Sequence, residues 1–222
     1  MRQFLALFKR DISIFYKSKS IFILAIIFFL LVTVMLPIGI GPDLKILRSI
    51  SPGLVWIAFL LSTLLNMPLL FTDDFKDGSL DVIIIESDNP ILSILSKILS
   101  FWTAVILPII LFIPIAGVML NLGFDQTSEI IILLLISSPY IILVSAIGSA
   151  ITIKTINSGL LITSLITPFY IPILIIGTLP FINNDSINFG FVRSAMLLTA
   201  TSLLSMVILP YFIIYILRIN TD

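Results

Sequence analysis

The side chains most able to do chemistry lie in one acidic segment, residues 71–90. The segment holds one lysine and six carboxylates, which are Asp73, Asp74, Asp77, Asp81, Glu86 and Asp88. Such a group of carboxylates can pair with basic side chains on a partner protein. Asp77-Gly78 predicts a turn, because glycine adopts positive φ without strain. Ser79 is then the predicted N-cap of a short helix, with Asp81 in its first turn facing the positive helix end.

The residue types that the chain lacks exclude several kinds of chemistry. It contains no histidine and no cysteine, which excludes disulfides, thiol chemistry, Cys/His metal sites and the usual protein ligands of haem iron. No Gly-x-x-x-x-Gly-Lys-Ser/Thr run occurs, so the chain does not cradle nucleotide phosphates in that way. We therefore expect no catalytic, metal-binding or cofactor-binding residue, and the energy for any active process must come from a partner.

The composition of the chain predicts that the acidic segment lies between membrane helices. Of the 222 residues, 59% are apolar and 11% are charged, whereas about a quarter are charged in ordinary globular proteins. A soluble protein of this size could not hide so much apolar surface, which excludes soluble enzymes. The numbers of basic and acidic residues are equal, which gives no indication of a nucleic-acid surface.

Six uncharged apolar segments are each long enough to cross a bilayer core about 30 Å thick. They cover roughly residues 21–40, 53–71, 99–121, 130–150, 159–182 and 195–217. The sequence therefore predicts an all-α integral membrane protein with six transmembrane helices. A single transmembrane domain covers residues 1–222, and residues 72–98 form its first inner loop.

The distribution of lysine and arginine between alternate loops predicts the orientation. With the N-terminus inside, nine basic residues are internal: Arg2, Lys9, Arg10, Lys17, Lys19, Lys76, Lys97, Lys154 and Arg218. Three are external: Lys45, Arg48 and Arg193. Both termini are predicted to face the cytoplasm or its mitochondrial equivalent, which places the acidic segment on the side where loops are normally basic.

Residues 1–20 are predicted to form an amphipathic helix on the inner membrane surface. One face carries an apolar stripe at helical spacing, formed by Phe4, Leu5, Phe8, Ile12 and Phe15. Basic residues beside the stripe can contact anionic lipid headgroups. A frayed basic tail is the alternative. A signal peptide is not supported, because no small-x-small cleavage pattern follows the apolar run.

A second helix start follows the acidic turn, with Asn89 as its cap and Pro90 at the first helical position. One face of this helix is apolar, with Leu92, Leu95, Leu99 and Trp102, and the other is polar, with Ser93, Ser96, Lys97 and Ser100. The segment is either a capped helix–turn–helix that returns the chain to the membrane or an element that a soluble motor subunit grips. The spacing of the residues leaves both interpretations open.

Six prolines interrupt the later spans, at positions 108, 114, 139, 168, 172 and 210. They are either hinges or simple kinks. Each removes one backbone hydrogen bond, and the hydroxyls of Ser137, Ser138 and Thr167 can bond to the carbonyls that are freed.

Two parts of the chain resemble the cytochrome c maturation protein B family, also called haem exporter protein B. Residues 70–81 read Leu-Phe-Thr-Asp-Asp-Phe-Lys-Asp-Gly-Ser-Leu-Asp, against a family pattern of Leu-Phe-x-x-Asp-x-x-Asp-Gly-Ser-Leu-Glu. Residues 36–42 and 50–56 match as Leu-Pro-Ile-Gly-Ile-Gly-Pro and Ile-Ser-Pro-Gly-Leu-Val-Trp. Asp81 replaces the usual glutamate and keeps its charge. The resemblance is strong over residues 30–120 and continues as a hydropathy pattern to the end.

The resemblance implies an ABC-transporter permease that works with an ATP-binding subunit, a haem-handling membrane subunit and a haem chaperone. It implies two copies per complex, ATP on the partner and haem as the cargo of the complex. The expected location is the bacterial inner membrane, with the mitochondrial inner membrane as the alternative. The resemblance also favours the inner loop as the ATPase-coupling element, through Phe71, Asp74, Asp77, Gly78, Ser79 and Asp81.

Two other functions are retained as alternatives. An ion-coupled secondary transporter usually carries an ionisable side chain within its spans, and the predicted spans hold none. A passive scaffold for a haem-handling partner would need neither the acidic loop nor the repeated prolines. Met35, Met119 and Tyr140 are interpreted as packing residues or interface anchors rather than ligands of a porphyrin.

The orientation can be tested by labelling single cysteines in this cysteine-free chain. We expect cysteines near Lys45, Gly123 and Asn184 to react with a membrane-impermeant reagent on intact cells. Cysteines near Asp77, Thr155 and Thr221 should react only after permeabilisation. Opposite accessibility of the two termini would contradict an even number of spans.

Overall fold

The computed structural model describes residues 2–17, 20–41, 43–85, 89–155, 158–182 and 189–221. Within these ranges the chain forms helices and no strand. Residues 86–88 of the predicted inner loop, residues 1 and 18–19 of the predicted N-terminal helix, and the predicted labelling site Asn184 lie outside the described residues.

The α-helices in this part of the chain are numbered in order. They are α1 (Arg2–Lys17), α2 (Ser20–Ile40), α3 (Leu44–Asn66), α4 (Leu69–Lys76), α5 (Ser79–Ile85), α6 (Pro90–Phe101), α7 (Leu107–Met119), α8 (Phe124–Ile151), α9 (Ser158–Thr178) and α10 (Phe191–Thr221). A π-helical segment, Trp102–Ile106, joins α6 to α7, and a 3₁₀ turn, Leu179–Phe181, follows α9.

Six helical stretches among the described residues are long and apolar enough to cross a membrane. They are Ile23–Ile40, Leu44–Lys76, Pro90–Met119, Phe124–Ile151, Gly159–Phe181 and Phe191–Asn220. The predicted fold class, an all-α protein with six membrane helices, is confirmed.

Two of these helices begin well before the uncharged segments of the sequence. The carboxylate of Asp43 accepts hydrogen bonds from the backbone N–H groups of Lys45 (2.9 Å) and Ile46 (3.3 Å), so α3 begins nine residues before position 53. Asn89 caps α6 by accepting from Leu92 N (3.4 Å), with Pro90 in the first turn, as predicted. The helix ends differ from the span ends because capping decides where a helix begins, whereas hydropathy locates only its membrane-embedded part.

Helix α8 packs against α10, α9 and α7 at the centre of the bundle. Side chains of α10 donate to its backbone at two levels, from Ser202 Oγ to the carbonyl of Ile136 (2.6 Å) and from Asn220 Nδ2 to the carbonyl of Ala150 (3.0 Å). In an apolar environment such bonds satisfy polar groups that have no water to contact. They therefore fix the position of α10 along α8.

Ser138 connects the third membrane helix to the proline of the fourth. Its hydroxyl donates to the carbonyl of Leu135 (2.8 Å), the group that Pro139 leaves without an N–H partner. It also accepts a hydrogen bond from the indole N–H of Trp102 (2.9 Å), the first residue of the π-helical segment. The prediction that Ser138 compensates for a proline is confirmed, and the same hydroxyl joins two irregular helical segments.

Five helices meet at one end of the bundle, which we call the loop end. Arg10 of α1 approaches Asp74 of α4, with Nη2 3.9 Å from Oδ1. The last turns of α10 lie beside the start of α6 and line a pocket with it, and Asn220 contacts the end of α8. Helices α3 and α8 begin at the opposite end.

The close contact of α3 with α9 depends on a glycine. Trp56 is fully buried, and its indole lies against Gly177, where an added Cβ would be 2.1–2.5 Å from the ring atoms. Because the indole is rigid and enclosed, any side chain at this position must push the two helices apart.

Replacing this glycine tests the contact. Gly177→Ala should destabilise the purified protein by about 1–3 kcal/mol, the usual cost of overpacking, and lower the midpoint of thermal unfolding in detergent. Gly53→Ala is the matched control, because nothing lies within 4 Å of a Cβ there. An unchanged midpoint for Gly177→Ala would show that the indole is free to move.

Candidate functional site

The acidic segment folds as two short helices joined by a tight turn. Gly78 adopts a φ of +75°, as the predicted turn requires. The backbone N–H of Ser79 donates to Oδ1 of Asp77 (3.0 Å). The sequence predicts that Ser79 caps α5 with its hydroxyl, but the carboxylate of Asp77 accepts from the first backbone N–H of α5 instead. This hydrogen bond lowers the pKa of the Asp77 carboxyl below its usual value, so the group stays charged at neutral pH.

The predicted coupling residues divide into exposed and buried groups. Asp77, Gly78 and Asp81 are exposed and Ser79 is partly exposed, whereas Phe71 and Asp74 are buried. Asp73, in the second half of α4, is exposed as well. We call the exposed carboxylates Asp73, Asp77 and Asp81 the acidic surface. It places three negative charges at the loop end.

Asp74 takes part in a buried charge cluster inside the chain. Its carboxylate forms an ion pair with the amine of Lys97 in α6. Arg10 lies 3.9 Å from the same carboxylate and donates through Nε to Asp11 (2.9 Å). Asp11, Asp74 and Lys97 are each at most 7% exposed. The four side chains, Arg10, Asp11, Asp74 and Lys97, carry two charges of each sign and balance one another, with Arg10 at the exposed edge of the cluster.

The polar face of α6 contacts α1. Ser96 Oγ donates to the carbonyl of Phe4 (3.0 Å), and Ser100 Oγ donates to that of Phe8 (3.3 Å). Ser93 and Lys97 on the same face are also buried, whereas Leu92 and Leu99 on the opposite face are exposed. The predicted division of α6 into two faces is present. The polar face is the buried one, because the backbone of α1 supplies its acceptors.

Aromatic side chains complete the packing of α1 on α6. The ring of Phe15 meets that of Phe101 edge to face, with 5.3 Å between centroids. The amine of Lys97 lies 5.6 Å from the centre of the Phe15 ring, within reach of a cation–π contact. Phe15 is buried, but Leu5 and Ile14 of the same helix are about half exposed. Helix α1 is thus packed along one face, while apolar side chains on another face remain exposed.

The sequence contains an indication of the contact between α1 and α6. Ser93, Ser96, Lys97 and Ser100 recur at helical spacing in an otherwise apolar helix. A polar stripe of that kind indicates a helix partner, since isolated polar groups are costly against lipid. The partner itself was not predictable, because about ninety residues separate the contacting groups.

The residues considered beside haem lie apart from this site. Met35 and Met119 are exposed at 62% and 42%. Tyr140 is partly buried, and its hydroxyl donates to the carbonyl of Phe169 (3.2 Å). No group of three or more carboxylates able to hold a metal ion occurs among the described residues.

The chain is similar to known proteins over nearly its whole length. The model of the family described as "CcmB protein" matches residues 2–220. "Heme exporter protein B" of Haemophilus influenzae is 33% identical over 219 residues, which cover 99% of each chain. The protein of the same name from Bradyrhizobium diazoefficiens is 34% identical and covers 98% of each chain. That of Paracoccus denitrificans is 31% identical over 97% of this chain and 98% of its own.

Removing one partner of the buried ion pair should destabilise the protein. Asp74→Asn or Lys97→Met leaves the other charge buried and uncompensated, which costs about 3–5 kcal/mol. The measurement is the midpoint of unfolding in detergent, by heat or by added sodium dodecyl sulfate.

The double variant Asp74→Asn/Lys97→Met removes both charges and should recover most of the stability lost by either single change. Asp73→Asn is the control, because Asp73 is the exposed neighbour of Asp74. Additive losses in the double variant would show that the two charges do not act as a pair.

Proposed function

The chain belongs to the CcmB protein family, and from that premise we propose that it is the membrane permease subunit of an ABC transporter for cytochrome c maturation. Three relatives, each covered over at least 98% of its own length, carry the name "Heme exporter protein B". Haem is the cargo of the proposed complex. The permease couples ATP hydrolysis in a partner to haem delivery or to release of a haem-loaded chaperone.

In this proposal the ATP is bound and hydrolysed by a separate subunit. The chain has no phosphate-binding loop and no histidine or cysteine. The acidic surface is the contact for that subunit, because its three carboxylates are exposed and suit lysine and arginine on a partner. Gly78 sets the direction of the chain between them through its positive φ.

The observation that carries the coupling proposal is the position of Asp74. It lies in α4, before the acidic turn, and contacts Lys97 in α6, with Arg10 of α1 beside them. A movement of the turn is therefore transmitted by the Asp74–Lys97 ion pair to α6, where the third membrane helix begins. Phe71 and Asp74 act inside the loop as supports, while Asp77 and Asp81 contact the partner.

The proposed location is the bacterial inner membrane, with both termini in the cytoplasm. The relatives named above are bacterial, and the basic residues favour the loop end as the inner side. In that orientation α1 lies on the cytoplasmic membrane surface with Leu5 and Ile14 toward lipid. The complex further contains a second copy of this chain, a haem-handling membrane subunit and a haem chaperone.

An ion-coupled transporter is the less favoured function. The buried carboxylates among the described residues are those of Asp11 and Asp74, and both have a cationic partner. A carboxylate held in an ion pair is poorly suited to bind and release a coupling ion. A passive scaffold differs from the proposal in a measurable way, because it would tolerate charge changes on the acidic surface.

The coupling role is tested by reversing charges on the acidic surface. Asp77→Lys and Asp81→Lys should abolish pull-down of the ATP-binding subunit and strongly reduce the yield of holocytochrome c, because like charges at an interface cost several kcal/mol. Membranes should contain equal amounts of each variant. Gly78→Val should reduce both readouts through the backbone.

Asp125→Lys is the matched control, since Asp125 is exposed at the start of α8, at the opposite end of the bundle. It should leave both readouts unchanged. If Asp77→Lys and Asp81→Lys bind the ATP-binding subunit and mature cytochrome c like the parent, the acidic surface is only a connector.

A further inference from the structure

A pocket of about 440 Å³ opens at the end of the bundle opposite the acidic surface. It lies where α3 and α8 begin and where the 3₁₀ turn after α9 ends. Its lining residues are Lys45, Arg48, Ser49, Gln126, Phe181 and Ile182. Helix α3 alone is about 35 Å long at 1.5 Å per residue, so this pocket is separate from the site at the loop end.

Two cations of the pocket have no anionic partner within the described part of the chain. Lys45 and Arg48 are exposed and take part in none of the ion pairs there. The nearby carboxylate of Asp43 accepts from backbone N–H groups at the start of α3. The guanidinium of Arg48 extends to Gly123, where a Cβ would be 3.5 Å from Nη2. Both charges therefore remain available to a ligand.

Gln126 adds a partly buried amide to the same pocket. Its Oε1 is shielded from solvent and has no hydrogen-bond partner among the described residues. A buried polar atom without a partner is costly. A rotation of the terminal amide by 180° exchanges the positions of Oε1 and Nε2, which lets the side chain donate to an anion through Nε2.

Part of the pocket lining is apolar. Phe181 is partly buried, and Ile182 is 50% exposed. A ligand that fills the pocket therefore meets two cations and an amide together with a hydrocarbon surface. This combination suits a molecule that carries an anionic group on an apolar body.

We propose that this pocket binds the anionic group of an amphiphile, a carboxylate or a phosphate, through Lys45, Arg48 and Gln126. A guanidinium forms two parallel hydrogen bonds with either group. Phe181 and Ile182 contact the apolar part of the ligand. Two sources provide this chemistry, the phosphate of a membrane phospholipid and the carboxylates of a porphyrin. The porphyrin source rests on the proposed function, whereas the phospholipid source does not.

Binding to the full-length chain in a neutral detergent tests the proposal. One probe is phosphatidylglycerol with a fluorescent acyl chain, compared with a diacylglycerol that carries the same chain and no phosphate. The other probe is iron-free protoporphyrin, compared with its dimethyl ester. At least one charged probe should bind more tightly than its uncharged counterpart. The double variant Lys45→Gln/Arg48→Gln should weaken that binding about tenfold or more, since two charge-assisted hydrogen bonds are lost.

The matched control is Lys76→Gln/Lys154→Gln, which removes two exposed cations elsewhere and should bind like the parent. Gln126→Leu should also weaken binding without changing the net charge. If the pocket variants lose binding of the porphyrin alone, the ligand is a carboxylate. If they lose binding of phosphatidylglycerol alone, the ligand is a phosphate. If they lose binding of both probes, the shared chemistry is supported.

The proposal is overturned if the pocket variant and the control bind both charged probes equally. It is also overturned if the uncharged counterparts bind the parent as tightly as the charged probes. These measurements need neither ATP nor a partner, so their failure is distinguishable from failure of the coupling role.

Discussion

The buried ion pair between Asp74 and Lys97 is the constraint on which the loop end depends. Each charge loses most of its hydration on folding, and only the opposite charge beside it offsets that loss. Because the two residues lie on either side of the acidic turn, their pairing fixes where α4 ends relative to where α6 begins. Arg10 and Asp11 bring α1 into the same neutral group. The exposed part of the loop is thereby held by three helices.

A different interaction connects the membrane helices. Their contacts use short polar side chains that donate to a neighbouring backbone, as from Ser51 to the carbonyl of Leu120 (2.9 Å) and from Ser194 to that of Ile176 (2.7 Å). Such bonds in membrane proteins average only about 0.6 kcal/mol each. Their positions define the register of the helices, while close packing such as that of Trp56 on Gly177 provides contact area. The irregular segments at Trp102 and Pro139 are joined by a hydrogen bond between side chains, from Nε1 of Trp102 to Oγ of Ser138.

The two ends of the bundle differ in the sign and in the burial of their charged side chains. At the loop end, carboxylates are divided between a buried cluster and an exposed acidic surface. At the opposite end, Lys45 and Arg48 are exposed and line an amphiphilic pocket. The membrane helices lie between these ends, with hydroxyls and backbone carbonyls in their contacts. The charged side chains of the two ends are thereby separated by the length of the membrane helices.

Much of the architecture follows from local features of the sequence. Long uncharged runs specify six membrane helices, because a charge in hydrocarbon is costly wherever it lies. Asn89-Pro90 specifies a helix start and Asp77-Gly78 a turn, because their backbone preferences act within a few residues. The tertiary structure alone decided which carboxylates are exposed. Asp74 and Asp77 stand three positions apart in one acidic run, yet one is buried beside Lys97 and the other is exposed. Burial is set by helices that fold back from distant parts of the chain, and no local pattern encodes that contact.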